Sequence, residues 1–461
     1  MLNSNIFKAY DIRGVYPDEI TKEDAFRIGL ATVRYLQKKN PGKKQLNIVV
    51  GEDCRFASPA LRGAVVDAMT RAGAYIKYIG ACTTPLFYFS VNKLKADGGI
   101  MITASHNPPQ YGGLKIVGLE ARPIGAESGL KEIEELSRDN TELEKQPDRI
   151  EEISLVNDYV DFVIANSGIG SKAKKLKLVI DAGNGMTPIV LTPLIAKLGL
   201  SYFPLYFKID CNFPSHPPDI SRDEALSDLK KKVIESHADL GIAFDGDGDR
   251  VVFIDNHGHR LSSDHILGLL FKDASGIFRK PKTVYDLRFS KSIVELLGKH
   301  GYRSRVGRVP ISIMLRDIKG DIGGETSGHF FFKESNYVES SDLAMLKIIK
   351  IISNSGKTIS ELVQPFQKYY HSGEINMELD NPEMKKSVVA QLKEKYKDGK
   401  VDELDGIMVD FWSAGWWFNL RPSNTEPLLR LVVEANTKEL MDRKIYELTK
   451  AIKRAAVGLS N

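Results

Sequence analysis

The chain has 461 residues, 42% of them hydrophobic and 27% charged, with a formal net charge of +4. That length supports several domains, and so small a charge with no dense Lys/Arg block excludes a dedicated nucleic-acid binder. The three cysteines, Cys54, Cys82 and Cys211, contain no CxxC pair, so neither a zinc site nor a disulfide framework is signalled and a reducing cytoplasm is the expected setting. The N-terminus lacks a basic region followed by an apolar run, and the nearest apolar stretch, Ala344 to Ile352, is broken by Lys347 and Lys350. Neither a signal peptide nor a membrane span is expected.

In chain order, Phe7 to Gly14 places Arg13 in a segment too short for a helix, either a surface loop or an arginine offered to an anion. Thr21 reads as the N-cap of a helix reaching Lys38, with Phe26, Leu30, Val33 and Leu36 as its apolar stripe. A strand over 46–50 turns off at Gly51 to Arg55, and Ser58-Pro59 opens a second helix. A strand from Tyr75 to Ile79 and a loop at Thr83-Thr84-Pro85 follow. This alternation predicts a mostly parallel α/β domain. The apolar run Ile100-Met101-Ile102 predicts a buried strand, which Thr103 to Pro109 must end. Ser105 is therefore expected on a rigid loop at the carboxyl end of a strand, where open α/β sheets bind ligands. His106 lies beside it and Lys115 returns ten residues later. A hydroxyl, an imidazole and an ammonium together point to phosphoryl chemistry on Ser105, although the stretch taken alone reads rather as a turn.

Lys131 to Ile150 is charge-rich, a solvated helix plus linker that marks a boundary. A second unit opens with a strand running into Gly183-Asn184-Gly185, and contains the stiff loop Phe213 to Asp219, whose His216 reads equally as a turn residue or a ligand. It closes on Asp245-Gly246-Asp247-Gly248-Asp249-Arg250 between two strands. The glycines let the backbone fold tightly, so three carboxylates converge on one hard cation; with a phosphate oxygen they suit Mg²⁺. Without a metal or Arg250 the acids would repel one another. An EF-hand is excluded, because its glycine and glutamate positions hold Arg250 and Asn256. In a third unit, the strand at Val284 to Leu287 leads into a loop with Arg288, and a helix covers Lys291 to His300. Gly323 to His329 offers an acceptor and a hydroxyl for sugar hydroxyls, or a capped turn before a Phe330 to Phe332 strand. A last unit runs from about Gly373, with Trp412, Trp416 and Trp417 read as core. Its Arg421-Pro422-Ser423-Asn424-Thr425-Glu426-Pro427 forms a phosphate nest or a proline-bounded turn. A final helix from Thr437 to Ala455 packs through Leu440, Ile445, Leu448 and Ile452.

Taken together and in this order, these motifs resemble the α-D-phosphohexomutase family, and within it the bacterial phosphomannomutase/phosphoglucomutase branch. The resemblance runs from Lys8-Ala9-Tyr10-Asp11-Ile12-Arg13-Gly14 to the Arg421 loop. It implies four domains around a central cleft, three similar mixed or parallel α/β units and a smaller C-terminal helix-on-sheet domain. The expected extents are 1–150 for the phosphoserine domain, 151–253 for the metal domain, 254–370 for the sugar domain and 371–461 for the phosphate domain. It further implies that Ser105 is the phosphoserine and that Asp245, Asp247 and Asp249, with the Ser105 phosphate, bind Mg²⁺. Arg13, His106, Lys115 and Arg250 would then handle protons and charge. Tyr10, Arg288, Arg308, Glu325, Ser327 and His329 would meet the sugar side of the substrate, and Arg421, Ser423, Asn424 and Thr425 the phosphate that is not reacting.

The implied activity is reversible conversion of hexose 1-phosphate and hexose 6-phosphate, mannose or glucose, through a phosphoserine and a hexose 1,6-bisphosphate that serves as intermediate and activator. The implied partner is a small phosphosugar, with no nucleic acid and no membrane, and the chain is expected to act as a monomer. Departures from the family pattern are Gly112 where Asn is common, Arg308 where this branch often has His, and Thr326 where it usually has Met. Three rivals predict different residues. A phosphoglucosamine mutase usually opens Gly-Thr-Asp-Gly-Ile-Arg-Gly, unlike Ala9 to Gly14. A Mg²⁺-dependent phosphatase needs no second phosphate site, and a non-catalytic sugar-phosphate binder would not keep Ser105, Lys115 and three aspartates.

Overall fold

Thr21 caps the first long helix, Lys22–Lys39, through a reciprocal capping box with Asp24, so one of the free N–H groups at the helix start is satisfied by sequence-local chemistry. The same logic holds at Thr83, whose hydroxyl accepts from the Leu86 N–H. Thr83-Thr84-Pro85, expected as a loop, therefore begins the helix Thr84–Lys93. The structure, a computed structural model, describes residues 2–139, 143–144, 149–276, 279–379, 381–423 and 428–456. Its strands fall into four sheets.

The first sheet comprises β1 (Ile12–Val15), β2 (Asn47–Glu52), β3 (Tyr75–Ala81), β4 (Gly98–Ile102), β5 (Tyr111–Val117) and β6 (Ile150–Glu152) in the order β1-β5-β4-β2-β3-β6. Its β4, β2, β3 and β6 are parallel, while β5 and β1 return antiparallel. Every residue of β4 is buried, which is why it reads as a continuous apolar run rather than an alternating one. The second sheet holds β7 (Lys177–Asp181), β8 (Ser201–Leu205), β9 (Leu240–Phe244) and β10 (Val251–Ile254) in the order β10-β9-β7-β8. The third holds β11 (Thr283–Asp286), β12 (Gly301–Ser304), β13 (Ile322–Gly324), β14 (Phe330–Phe332) and β15 (Val338–Glu339) in the order β12-β11-β13-β14-β15. Each has a parallel centre and one antiparallel edge.

The fourth sheet is antiparallel throughout. Its path is β16 (Tyr370–His371), β21 (Leu428–Ala435), β20 (Trp416–Pro422), β19 (Ile407–Phe411) and β18 (Lys400–Asp402), with β17 (Ile375–Glu378) also paired to β21. The helices Lys385–Lys395 and Lys438–Ala456 cover it, the latter burying Leu448 and Ile452. Trp416 and Trp417 are core, as expected; Trp412 lies outside the strands, half-buried in a turn with its ring edge-on to Tyr369.

The first three units share one large apolar core that includes Phe87, Phe244 and Phe330. Loops at the sheet ends bring Ser105, the three aspartates and Glu325 toward one cleft, and Arg421 reaches it from the end of β20. One feature overturns the expectation drawn from cysteine spacing: Cys54 and Cys211 form a disulfide, with Cα atoms 5.5 Å apart and a sequence separation of 157. Spacing rules detect local pairs, and this one exists only because the loop after β2 packs against the loop after β8. The cysteine count is therefore no argument for a reducing compartment. Cys82 is free and buried.

Candidate active site

Ser105 sits where β4 ends, in a left-handed conformation with φ 53°, a region that a residue with a Cβ enters only when its surroundings hold it there. The restraints are visible. The Ser105 N–H donates to Thr103 Oγ1 at 2.9 Å. The buried Arg55 guanidinium donates to the carbonyls of Ser105, Asn107 and Pro108, each at 2.7 Å. Arg55 is itself oriented by Asp53 at 3.1 Å. On the far side, a Cβ added at Gly246 would meet the Ser105 carbonyl at 2.7 Å, so only glycine lets the aspartate loop approach the serine loop this closely. The Ser105 hydroxyl lies 3.1 Å from His106 Nδ1. Burial, reinforced by the nearby Arg250 and Arg13 guanidiniums, drives His106 well below the ordinary imidazole range, so the ring is neutral.

Asp245, Asp247 and Asp249 are fully buried, and an oxygen from each lies within 4.8 Å of the others. Lys115 Nζ bridges Asp247 at 2.6 Å and Asp249 at 2.5 Å. Burial alone would strip its proton, but the two carboxylates outweigh that and raise it. Thr84 donates to Asp247 from both its hydroxyl (2.5 Å) and its backbone N–H (2.9 Å). Asp245 is the odd member: burial and the Asp249 and Asp247 charges push its carboxyl well above the usual range. Asp245 Oδ2 and Asp247 Oδ1 are buried without a hydrogen-bond partner among the described residues. The Arg250 guanidinium approaches Asp245 Oδ2 only to 3.8 Å, so two buried carboxylate oxygens without a hydrogen bond, in a cluster of three acids, fit a hard divalent cation.

Arg13 is held by Asp11 at 2.6 Å and donates to Asn107 of the serine loop at 2.5 Å. Across the cleft, Glu325 accepts from His329 at 2.8 Å, and the other His329 nitrogen lies 3.1 Å from Asp249. Burial opposes the charge on His329, yet these two carboxylates push it up to about 9, while Glu325 is held down at about 2 despite its own burial. Ser327 lies 3.0 Å from the same ring, and Arg250 Nε points at it from 3.4 Å. Asp286 accepts from Arg288 and from the N–H and hydroxyl of Thr326 at 2.8 and 2.9 Å, so Thr326 anchors this loop. Arg308 is buried, donating to the Tyr88 hydroxyl at 2.9 Å and the Tyr10 carbonyl at 3.1 Å. Tyr10 donates to the Val306 carbonyl at 2.6 Å. Gly307, at φ 119°, leaves room for the Tyr10 ring. Gly112 is equally confined: a Cβ there would meet Leu61 at 2.8 Å.

Arg421 and Ser423 are buried in the fourth unit; Asn424 and Thr425 lie outside the described residues. A cleft of about 1850 Å³ is lined by Ser105, His106, Lys115, Arg13, Asp249, Arg250, Tyr10, Arg288, Arg308, Glu325, Ser327, His329, Arg421 and Ser423. Asp245 and Asp247 lie behind the lining rather than on it. Sequence reasoning missed Asp53, Arg55, Thr84, Asp286 and Glu374. Asp53 and Thr84 are an acid and a hydroxyl shortly after a strand and Asp286 an acid at a strand's end; Arg55 and Glu374 carried no such signal.

A cleft that joins a strained serine, a buried carboxylate cluster and opposed arginines belongs to an enzyme handling phosphorylated, hydroxyl-rich molecules. Family models described as phosphoglucomutase/phosphomannomutase, alpha/beta/alpha domains I, II and III, match residues 4–144, 157–258 and 262–369, and the model of the C-terminal domain matches 374–450. The chain is 36% identical to a phosphomannomutase of Methanocaldococcus jannaschii, over 98% of this chain and 99% of that one. It is 32% identical to a phosphomannomutase/phosphoglucomutase of Pseudomonas aeruginosa, over 96% and 94%. A crystal structure of a phosphoglucomutase/phosphomannomutase family protein from Burkholderia thailandensis superposes with a TM-score of 0.88 at 27% identity, covering 100% and 99%. The chain belongs to the phosphoglucomutase/phosphomannomutase family: it is a phosphohexomutase, an isomerase that interconverts hexose phosphates. Among the described residues no helix is long and apolar enough to cross a membrane.

Proposed function

We propose that the chain interconverts hexose 1-phosphate and hexose 6-phosphate, with mannose and glucose as its sugars, by way of a phosphoryl group carried on Ser105. The observation that carries this reading is the convergence of the Ser105 loop, locked by Arg55, and the aspartate loop, held by Lys115 and Thr84 of the first unit, on a cleft whose far wall is Glu325, Ser327 and Arg421. All four units of one chain line the cleft, so a monomer suffices.

The free hydroxyl of a hexose monophosphate attacks the phosphorus on Ser105. The bond to Ser105 Oγ breaks, the bond to the sugar oxygen forms, and the hydroxyl proton passes by way of the neutral His106, 3.1 Å from Ser105 Oγ, to the departing serine oxygen. Arg13 and Lys115 supply fixed positive charge beside the moving group, since phosphoryl transfer depends on positioning and charge neutralisation. Mg²⁺ at Asp245, Asp247 and Asp249 would neutralise further charge on the phosphoryl oxygens. Glu325 and Ser327 orient the sugar hydroxyls, with His329 and Arg288 fixing the glutamate. Tyr10 and Arg308 close the wall beside them. Arg421 and Ser423, with Asn424 and Thr425, hold the other phosphate. The resulting hexose 1,6-bisphosphate turns within the cleft and returns its second phosphate to Ser105.

Intact-mass measurement should find a fraction of the protein heavier by one phosphoryl group, and Ser105→Ala should lose that fraction and nearly all activity. Phosphorus NMR with α-D-mannose 1-phosphate or α-D-glucose 1-phosphate, Mg²⁺ and a trace of hexose 1,6-bisphosphate should show a growing 6-phosphate signal without inorganic phosphate. Inorganic phosphate as the sole product, or full activity in Ser105→Ala, would end this reading.

A further inference from the structure

Arg421, the arginine assigned to the remote phosphate, already shares with Arg288 and Arg430 an anion that belongs to the chain. Glu374 Oε2 accepts from Arg421 at 2.8 Å and from Arg288 at 3.0 Å, and Glu374 Oε1 pairs with Arg430 at 2.9 Å. The sheet register forces this arrangement. Arg421 on β20 and Arg430 on β21 are directly opposite one another, a placement that is unfavourable for like charges unless a counter-charge lies between them. Arg288 adds a third guanidinium from the third unit.

We propose that Glu374 is the resident counter-anion of the remote-phosphate site, surrendering its arginines when a substrate phosphate arrives and reclaiming them when it leaves. The inference rests on the assignment of that site given above. Three observations favour exchange over a permanent strut. Glu374 is reachable: its side chain is 20% exposed, faces the cleft, and follows Gly373, which is in a left-handed conformation at φ 68°. The site also keeps a donor that the carboxylate does not use, because Arg421 Nε is buried without a partner among the described residues. A phosphate, with more oxygens than a carboxylate, can take that donor as well. Finally, the third and fourth units are joined elsewhere by a contact that no ligand would disturb: Glu434 accepts from Ser290 Oγ at 2.5 Å, the Lys291 N–H at 2.8 Å and Trp417 Nε1 at 2.6 Å.

The reaction gives such a residue a purpose. One phosphate must leave the arginines so that the bisphosphate can turn, and the other must then take its place. A bare cluster of buried guanidiniums would make that step costly. A tethered carboxylate that steps in lowers the cost, at the expense of competing with substrate for the site. Competition of this kind reduces apparent affinity to the intrinsic value multiplied by the fraction of time the site is free.

Steady-state kinetics on α-D-glucose 1-phosphate and α-D-mannose 1-phosphate test this. In Glu374→Gln, KM should fall about tenfold and kcat should fall with it, as a site no longer self-occupied binds tightly and releases slowly. Less free hexose 1,6-bisphosphate should escape per turnover. A KM that rises or stays unchanged would show that Glu374 merely positions the arginines, and would overturn the proposal. If Glu374→Gln fails to fold, Glu374→Asp, with its shorter reach, carries the same test: a KM below wild type supports the exchange and one equal or higher overturns it. Arg421→Lys separates the two levels. An unchanged KM there removes the phosphate site and the counter-anion role together, whereas a raised KM there alongside a raised KM in Glu374→Gln removes only the latter.

Discussion

Two clusters of like charge face each other across the cleft, and each is partly neutralised by a residue of opposite sign from the chain. At the chemical end, Lys115 spans two of three aspartates. At the remote end, Glu374 spans three arginines. The difference lies in how each counter-ion is held. Lys115 rises from the middle of β5, is 1% exposed, and stands beside a serine loop locked by Arg55. Glu374 is tethered at the start of an edge strand and is partly exposed. A strand-borne, dry counter-ion fixes geometry for a reaction that depends on positioning. A loop-borne, wetter one can be exchanged. On the proposed reading, the molecule keeps rigidity where bonds change and exchangeability where the substrate must be let go.

The sharpest way to break this comparison is at the aspartates. Asp245→Asn should cost about a thousandfold or more in activity, the scale of losing a cation's charge stabilisation. Yet in chelator its Tm should rise, because Asp245 Oδ2 is buried without a hydrogen bond among the described residues, and burial with the Asp249 and Asp247 charges outweighs Arg250 at 3.8 Å. Adding Mg²⁺ should raise the Tm of the wild type and not that of the variant. A variant that unfolds more easily in chelator would mean that the cluster is a structural network and not a cation site.

Rigidity at the chemical end has a covalent part. Reducing the Cys54–Cys211 bond, or Cys54→Ser, should destabilise the chain by about 3–5 kcal/mol, since a closed loop of such length restricts the unfolded chain strongly. Thermal unfolding with and without reductant reads this directly, and coincident curves would show that the tether adds nothing.

The smallest effect sharpens the comparison on the cleft's flank. His216 Nε2 faces Asp181 at 3.2 Å. Burial disfavours its charge, but Asp181 overrides this and raises it above its ordinary value. The stability from this pair is therefore full below about pH 6.5, the usual imidazole range, and is lost as pH rises through the elevated value. NMR titration of His216 should give a midpoint above about 6.5, and Asp181→Asn should bring it down. An unmoved midpoint would remove Asp181 as the cause. His106, neutral beside Ser105, should stay uncharged through the same range.

Much of the scaffold was legible in the residues. Thr21 and its Asp24 partner announce a helix start through bonds made within one turn, and the apolar run at Ile100 to Ile102 announces a buried strand because both its faces are covered. The Asp245 loop and the Ser105 loop were legible for the same local reason: glycines and prolines restrict a backbone in ways that depend on neighbours in sequence. Thr83 was misread because a cap and a loop share the same residues until a helix is known to follow. Gly112 and Thr326 looked like bare departures. Leu61 filling the space above Gly112, and Asp286 holding Thr326, are tertiary facts.

What the sequence determined through local sterics and periodicity was therefore the elements and the order of the motifs, while the roles of the residues in phosphoryl chemistry were implied by the resemblance of that ordered set to a family. What only the tertiary structure decided was pairing at a distance. Cys54 meets Cys211, Arg55 reaches the carbonyls of the serine loop, Lys115 joins the aspartates and Glu374 occupies the arginines. No local rule encodes these, because each depends on where separate sheets come to rest once their apolar faces are buried.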